Sequence, residues 1–118
     1  MLGDGSVRPV IDPQSPVGIA PPANFDSEVW GGNKLLWALS DGAGVALIRG
    51  RELRSSVEVR FDGGVMPAAE KVLDPTGKTA LNGGWFDFPG YVRLRQPGCY
   101  GFQVEIANES FVIVISAA

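Results

Sequence analysis

Short segments in which apolar and polar residues alternate are the feature that most constrains the fold of this chain. The clearest one runs from Cys99 to Ile106, where every even-numbered residue is apolar and the odd-numbered residues are small or polar. A period of two residues directs alternate side chains to opposite faces of a β-strand. This segment therefore predicts a strand with one buried face and one solvent-facing face.

Further segments of strand character recur along the chain and are separated by residues that favour turns. They cover 35–39, 45–48, 57–62, 91–95 and 111–115. Asp41-Gly42-Ala43-Gly44 supplies the backbone angles of a tight turn, and we expect it to join the first two of these segments as a hairpin. The chain has 16 glycines and 9 prolines, and its best helical candidate, 67–73, is barely two turns long. These features predict an all-β domain.

The chain divides into a proline-rich arm at residues 1–28 and a domain at residues 29–118. Five of the nine prolines precede residue 23, in a stretch with few large apolar side chains. Proline fixes one backbone angle and lacks an N–H, so we expect the arm to be extended, lying over the domain or acting as a tether. Its apolar pieces, 7–11 and 17–20, are the parts suited to add an edge strand.

The last predicted strand, 111–115, is apolar on both faces. In a two-layer sandwich, Val112 and Val114 point away from the core if the other three residues point into it. Bare valines on a C-terminal strand invite pairing with another segment. We therefore expect the segment before Asp26, or the same surface of a second copy, to cover them. A homodimer through this strand or through the arm is the corresponding prediction.

The charge of the chain argues against a nucleic-acid partner. The formal net charge is −3, whereas binding to nucleic acid depends on basic residues that neutralise phosphates. Four arginines do cluster in the sequence, but acidic residues alternate with them and predict a solvated face of mixed charge. These arginines are Arg49, Arg51, Arg54 and Arg60.

Catalytic and metal-binding arrangements find little support. The chain has no histidine, which removes the Ser–His, Cys–His and His–metal combinations. Its one cysteine, Cys99, excludes an intrachain disulfide, and we expect it to be a packed and inert thiol. The glycine- and lysine-containing segments 31–34 and 75–78 lack the spacing of a phosphate-binding loop and are interpreted as turns. We expect no catalytic residue, metal or cofactor; a small glycosidase or lyase that uses two carboxylates is the alternative.

One segment, 83–91, concentrates aromatic side chains between glycines. Its candidate contact residues are Trp85, Phe86, Asp87, Phe88 and Tyr91. Exposed rings beside a carboxylate can contact a protein or a polysaccharide, and both partners stay open. The alternative is that Trp85 and Phe88 plug one end of the sandwich.

Two motifs resemble immunoglobulin-like domains of bacteria. Residues 96–104 resemble the Pro-Gly-x-Tyr entry to a late strand, in which the tyrosine closes a corner by bonding to backbone a few residues upstream. Tyr100 is the matching residue. Residues 48–64 are similar to the IPT/TIG branch of this fold, with a Gly-x-x-apolar turn before a strand that ends in glycine. The resemblance implies an immunoglobulin-like β-sandwich of about seven antiparallel strands with an extended N-terminal arm.

Residues 30–117 are also similar to uncharacterised bacterial proteins that are exported or lipid-anchored. The matching motifs are Leu36-Trp37, Gly50-Arg51-Glu52-Leu53, Trp85 to Pro89 and Pro97-Gly98-Cys99-Tyr100. This resemblance implies an extracytoplasmic location, secreted or lipid-anchored, although these residues include no signal peptide or lipobox. No apolar run is long enough for a membrane span, so we expect no membrane insertion. The function favoured is a non-catalytic binding or spacer module; the alternative is a structural subunit that assembles through its arm.

Overall fold

The computed structural model describes residues 6–11, 15–55, 57–63, 67–81, 83–107 and 109–118. Residues 12–14 of the predicted arm lie outside this part of the chain, as do residues 1–5. The described residues form ten strands and one 3-10 helix, Pro22–Phe25. The strands are β1 (Val7–Pro9), β2 (Gly31–Lys34), β3 (Trp37–Ser40), β4 (Ala46–Glu52), β5 (Arg60–Phe61), β6 (Lys71–Leu73), β7 (Trp85–Phe88), β8 (Tyr91–Leu94), β9 (Gly98–Ile106) and β10 (Glu109–Ala117). Within these ranges, no helix has the length and apolar character to cross a membrane.

One layer of the fold is a four-stranded antiparallel sheet in the order β10–β9–β4–β6. Strands β9 and β10 pair along their whole length, from Ile106 opposite Glu109 to Gly98 opposite Ala117. The alternation predicted for β9 is confirmed, because Tyr100, Phe102, Val104 and Ile106 are buried while Gln103 and Glu105 are exposed.

The opposite layer consists of two three-stranded antiparallel sheets, β1–β3–β7 and β2–β8–β5. Trp37 lies opposite Phe88 in the first sheet, and Lys34 lies opposite Tyr91 in the second. The pairing of β3 with β7 continues in the same register into the pairing of β2 with β8. Between the two pairings, the Leu35 N–H donates to the Gly90 carbonyl at 3.0 Å. The two sheets are therefore one layer, bent at 35–36 and 89–90. This bend divides two long strands into four; when each bent pair is counted as one strand, the fold has eight strands, one of which is the short edge strand β6, against the expected number of about seven.

The core lies between the two layers. The rings of Trp37 on β3 and Phe61 on β5 both contact Phe102 on β9, with centroid separations of 5.7 and 6.3 Å. Every strand except β2 contributes buried apolar side chains to one continuous cluster. Burial of this cluster supplies the main driving force for folding. The all-β class predicted from the alternation and the sandwich architecture implied by the resemblance are both confirmed.

Tyr100 closes the corner that precedes β9. Its hydroxyl donates a hydrogen bond to the carbonyl of Gln96, four residues upstream, and the side chain is only 1% exposed. Burial raises the pKa of this hydroxyl, because the ionised form is poorly solvated there. The predicted corner is confirmed.

The arm begins as part of the bent layer. Strand β1 pairs antiparallel with β3 and places Val7 opposite Leu39, where its side chain is completely buried. The expectation that 7–11 adds an edge strand is therefore confirmed.

The arm then crosses between the two layers. Val17 forms a parallel bridge with Ala117 at the end of β10, and Ala20 pairs with Gly32 on β2. Because a Cβ at Gly31 or Gly32 would collide with the backbone of Ala20 or Val92, respectively, glycine is required at both positions. The prediction of a turn at 31–34 is wrong, since this segment is strand β2, packed between the arm and β8.

The hairpin predicted at 41–44 is also wrong. Strands β3 and β4 belong to different layers, so the connecting residues carry the chain across the core instead of pairing the strands. Leu39 and Ile48 are both fully buried, and placing them on facing sheets allows each strand to bury its apolar side. The helical candidate at 67–73 contains strand β6. The turn at 75–78 is confirmed by a hydrogen bond from the Lys78 N–H to the Pro75 carbonyl at 2.9 Å.

Candidate binding surface

The structure places the five predicted contact residues on strands instead of on a loop. Trp85 to Phe88 form β7, and Tyr91 begins β8. Phe86 is buried in the core and Phe88 packs against it, so the alternation directs Trp85 and Asp87 to the outer face of the bent layer. Tyr91 shares that outer face. Of the two rings proposed to plug the sandwich, Phe88 therefore packs on the core and Trp85 does not.

The ring of Trp85 is partly covered by the arm. The guanidinium carbon of Arg8, on β1, lies 4.2 Å from the centroid of the ring. This is a cation–π contact between two strands of the same sheet that both border β3. It occupies a ring face that a sugar would otherwise stack on.

A groove of about 600 Å³ lies where the bent layer changes direction. Its walls include Val10, Lys34, Leu36, Pro89, Gly90 and Tyr91. Leu36 is level with Pro89 in the register of the bent layer, and its carbonyl points toward the arm, where it accepts a hydrogen bond from the Val10 N–H at 2.8 Å. Val10 is 52% exposed and Tyr91 36% exposed. The groove thus presents accessible apolar surface with one lysine at its rim.

Neighbouring residues hold Tyr91 in place. The ring of Phe25, from the 3-10 helix, meets it edge to face with centroids 5.6 Å apart. The Tyr91 N–H donates to Oδ1 of Asp62 at 3.4 Å, and the same carboxylate accepts bonds from Nζ of Lys71 at 2.9 and 3.1 Å. Because ring and backbone are both restrained, Tyr91 is a preorganised wall of the groove.

Beside the groove, the side chain of Arg93 is completely buried on the outer side of β8. Its guanidinium donates to the carbonyls of Trp30 at 2.7 Å, Asp62 at 3.1 Å and Gly31 at 3.2 Å. The ring of Phe25 covers it at 4.2 Å from the guanidinium carbon. Burial lowers the pKa of Arg93 from its usual value. Arg93 thus joins β2, β8 and the turn at Asp62 beneath the 3-10 helix.

Sequence reasoning missed this arginine. Arg93 occurs in an alternating segment, 91–95, where the pattern of polar positions gives no sign that one of them is buried. The available signal is the pair of aromatic residues Phe25 and Trp30 beside the proline-rich segment. The guanidinium carbons of Arg60 and Arg95 lie 5.7 and 5.5 Å from the centroid of the Trp30 ring.

The outer face of the four-stranded sheet differs from the predictions in two ways. Val112 and Val114 are 58% and 50% exposed, so the prediction that the arm covers them is wrong. The arm bonds to β10 at its end, near Ala117, and leaves the middle of the strand open. Cys99, predicted to be packed, is exposed, because it shares the outward parity of Gln103 on β9. The predicted cover by a second copy stays a prediction.

Among the described residues, no group of three or more cysteine, aspartate and glutamate side chains is placed to hold a metal ion. Comparisons with known protein families, with curated proteins and with solved structures find no match to this chain.

Proposed function

We propose that this chain is an immunoglobulin-like, extracytoplasmic module that binds a polypeptide partner through the groove at the bend and catalyses no reaction. The observation that carries the proposal is the preorganised apolar groove formed by Val10, Leu36, Pro89 and Tyr91. Concave apolar sites with a few fixed polar groups are the usual form of a binding site.

The order of the strands supports an immunoglobulin-like assignment. In that fold, the first, second, fifth and fourth strands form one sheet, and the third, sixth and seventh form the other. Here β1, the bent strand β2–β3, the bent strand β7–β8 and then β5 form one layer, while β4, β9 and β10 form the other, to which β6 adds a further edge strand beside β4. Tyr100 occupies the position of the tyrosine corner. The extracytoplasmic location rests on the resemblance of residues 30–117 to exported bacterial proteins.

A polypeptide partner is favoured over a polysaccharide. Sugar rings stack on open aromatic faces, but Arg8 already lies over Trp85. The groove at Tyr91 is lined mainly by aliphatic and proline side chains, which fit a large apolar side chain better than a sugar hydroxyl. Lys34, directly opposite Tyr91, is exposed and can attract a carboxylate. The ligand expected is a segment with a large apolar residue next to an aspartate or glutamate.

Selection from a random peptide library displayed on phage tests this proposal. The full chain should enrich peptides with a large apolar residue beside an acidic one, and Tyr91→Ala should weaken their binding by roughly tenfold or more, the effect of losing a hot-spot ring. Val72→Ala is the matched control, since Val72 is 54% exposed on β6, in the opposite layer. It should bind like the unmodified chain.

Two outcomes would contradict the proposal. Enrichment of no peptide family would favour a spacer role, and enriched peptides that bind Tyr91→Ala unchanged would move the site elsewhere. The melting temperature of each variant shows whether it has kept its fold.

A further inference from the structure

The outer face of β10 leaves two large apolar side chains in water. Val112 and Val114 are both at least half exposed. The hydrogen bonds between the arm and the end of the chain are made by Ser116 and Ala118, beyond these valines. A bare apolar pair on a long edge strand is a place where another chain can pack.

The apolar strip continues from β10 onto its neighbours. Gly101 on β9 lies between Val114 on β10 and Arg51 on β4 in the register of the sheet. A Cβ at Gly101 would lie 2.8 Å from Cδ2 of Leu53 and 3.5 Å from Cγ1 of Val112, so both side chains border the space above this glycine. Leu53 is itself 52% exposed. The strip therefore combines three exposed aliphatic side chains with a shallow notch.

Charges of opposite sign flank the strip. Arg51 is level with Val114 at one end, and Glu105 on β9 lies two residues beyond Gln103 at the other end. Both side chains are exposed. Two other charged side chains on this face already form ion pairs within the chain: Arg49 with Glu70 at 3.1 Å, and Glu58, opposite Arg51, with Arg60. Among the described residues, Arg51 and Glu105 form no such ion pair, and they complement each other when a two-fold axis exchanges the ends of the strip.

We infer that a second copy of this chain packs face to face on this strip, about a two-fold axis between Val112 and Val114. Val112 then lies against Val114 of the partner subunit, and Gln103 faces the notch above Gly101 of the partner subunit. Packed sheets commonly cross at about 30°. A rotation of this size brings Arg51 toward Glu105 of the partner subunit. The interface lies on the layer opposite the groove at Tyr91, so it is independent of the proposed function.

The size of the strip predicts a weak, reversible dimer. Three strands about 4.8 Å apart and seven residues of about 3.3 Å each give a footprint of roughly 300 Å² in projection. A stable interface buries about 800 Å² on each partner, so this one belongs to the small, transient class. Self-association should appear only as the protein is concentrated.

Sedimentation equilibrium of the full chain, from about 10 μM to about 1 mM, tests the inference. The average mass should rise from the 12.5 kDa of the monomer toward twice that value. Val114→Glu should keep the chain monomeric throughout, because it places a charge at the centre of the interface. Leu81→Glu is the control: Leu81 is 55% exposed but bridges to Trp85 in the other layer, and its variant should dimerise normally.

A charge exchange tests the orientation of the two copies. Arg51→Glu and Glu105→Arg should each weaken the dimer by roughly three- to tenfold, and the double variant should recover most of the loss. An unmodified chain that stays monomeric, or a dimer that Val114→Glu leaves intact, would overturn the inference. A double variant that dimerises more weakly than both single variants would overturn the pairing of Arg51 with Glu105. Near-ultraviolet circular dichroism confirms that each variant keeps the packing of its core.

Discussion

The two layers of this sandwich present very different outer faces. On the bent layer, Phe25 covers Arg93 and Arg8 partly covers Trp85, while the exposed side chains of Val10 and Tyr91 line the groove at the bend. On the four-stranded layer, the valines of β10 are exposed to solvent. Strand alternation determines which side chains point away from the core, but the path of the arm determines which of these are exposed to solvent.

Of the changes proposed, removal of the arm should lower the free energy of unfolding the most, mainly by destabilising the bent layer. A chain that begins at Asn24 lacks β1 and the bridges of Val17 and Ala20. Loss of the buried Val7 and of the backbone pairing should cost on the order of 4 kcal/mol and lower the melting temperature by roughly 15 °C. A chain that begins at Ser6 retains β1 and is the control. Equal melting temperatures for the two chains would show that the arm adds nothing to the fold.

The second prediction compares two arginines near the end of β8. Arg93→Met should destabilise the fold by about 3 kcal/mol, because three carbonyls lose their charged donor in a buried site. Arg95→Met should change stability by less than about 0.5 kcal/mol, since Arg95 is exposed. Urea unfolding midpoints measure both. Similar, small losses would mean that the 3-10 helix and Trp30 are held without Arg93.

A smaller effect is expected at the Tyr100 corner, at the start of β9. Tyr100→Phe leaves the Gln96 carbonyl without its donor and should cost about 1–3 kcal/mol. The folded pKa of Tyr100 is raised, so its stabilising contribution is complete below the unfolded pKa of about 10 and is lost as the pH rises through the folded value.

The stability difference between the chain and Tyr100→Phe should therefore narrow in alkali above about pH 10. Chemical denaturation at pH 7 and pH 11 provides the comparison. A constant difference at both pH values would indicate that the hydroxyl ionises equally easily in the folded and unfolded states.

Much of the fold is predictable because alternation reports the burial of each strand directly. It predicts β9 with Tyr100 on its buried face and the outward valines of β10, whereas the corner made by the Tyr100 hydroxyl was implied by the resemblance of residues 96–104 to immunoglobulin-like domains. The same rule, applied strictly, predicts an exposed Cys99, since this residue shares its parity with Gln103 and Glu105. Placing it in the core by residue type alone overlooked the register of the strand.

The rest depends on contacts that local patterns do not encode. The turn at 41–44 has hairpin residues, but whether it joins neighbours or crosses between layers depends on which strands pair with β3, and those are β1 and β7. The burial of Arg93 depends on Phe25, 68 positions earlier in the chain. Of the predicted contact residues, Tyr91 lines the groove, but Phe86 and Phe88 turn inward because residues 85–88 form a strand.

The central claim is that the two outer faces make different contacts, and a concentration series of amide spectra tests it most directly. In a uniformly ¹⁵N-labelled full chain, amide signals of Gly101, Gln103, Val112 and Val114 should shift progressively with concentration. Signals of Leu36 and Gly90, at the groove, should stay constant. Shifts at Leu36 and Gly90 with constant signals along β9 and β10 would contradict the claim, and so would the absence of any shift.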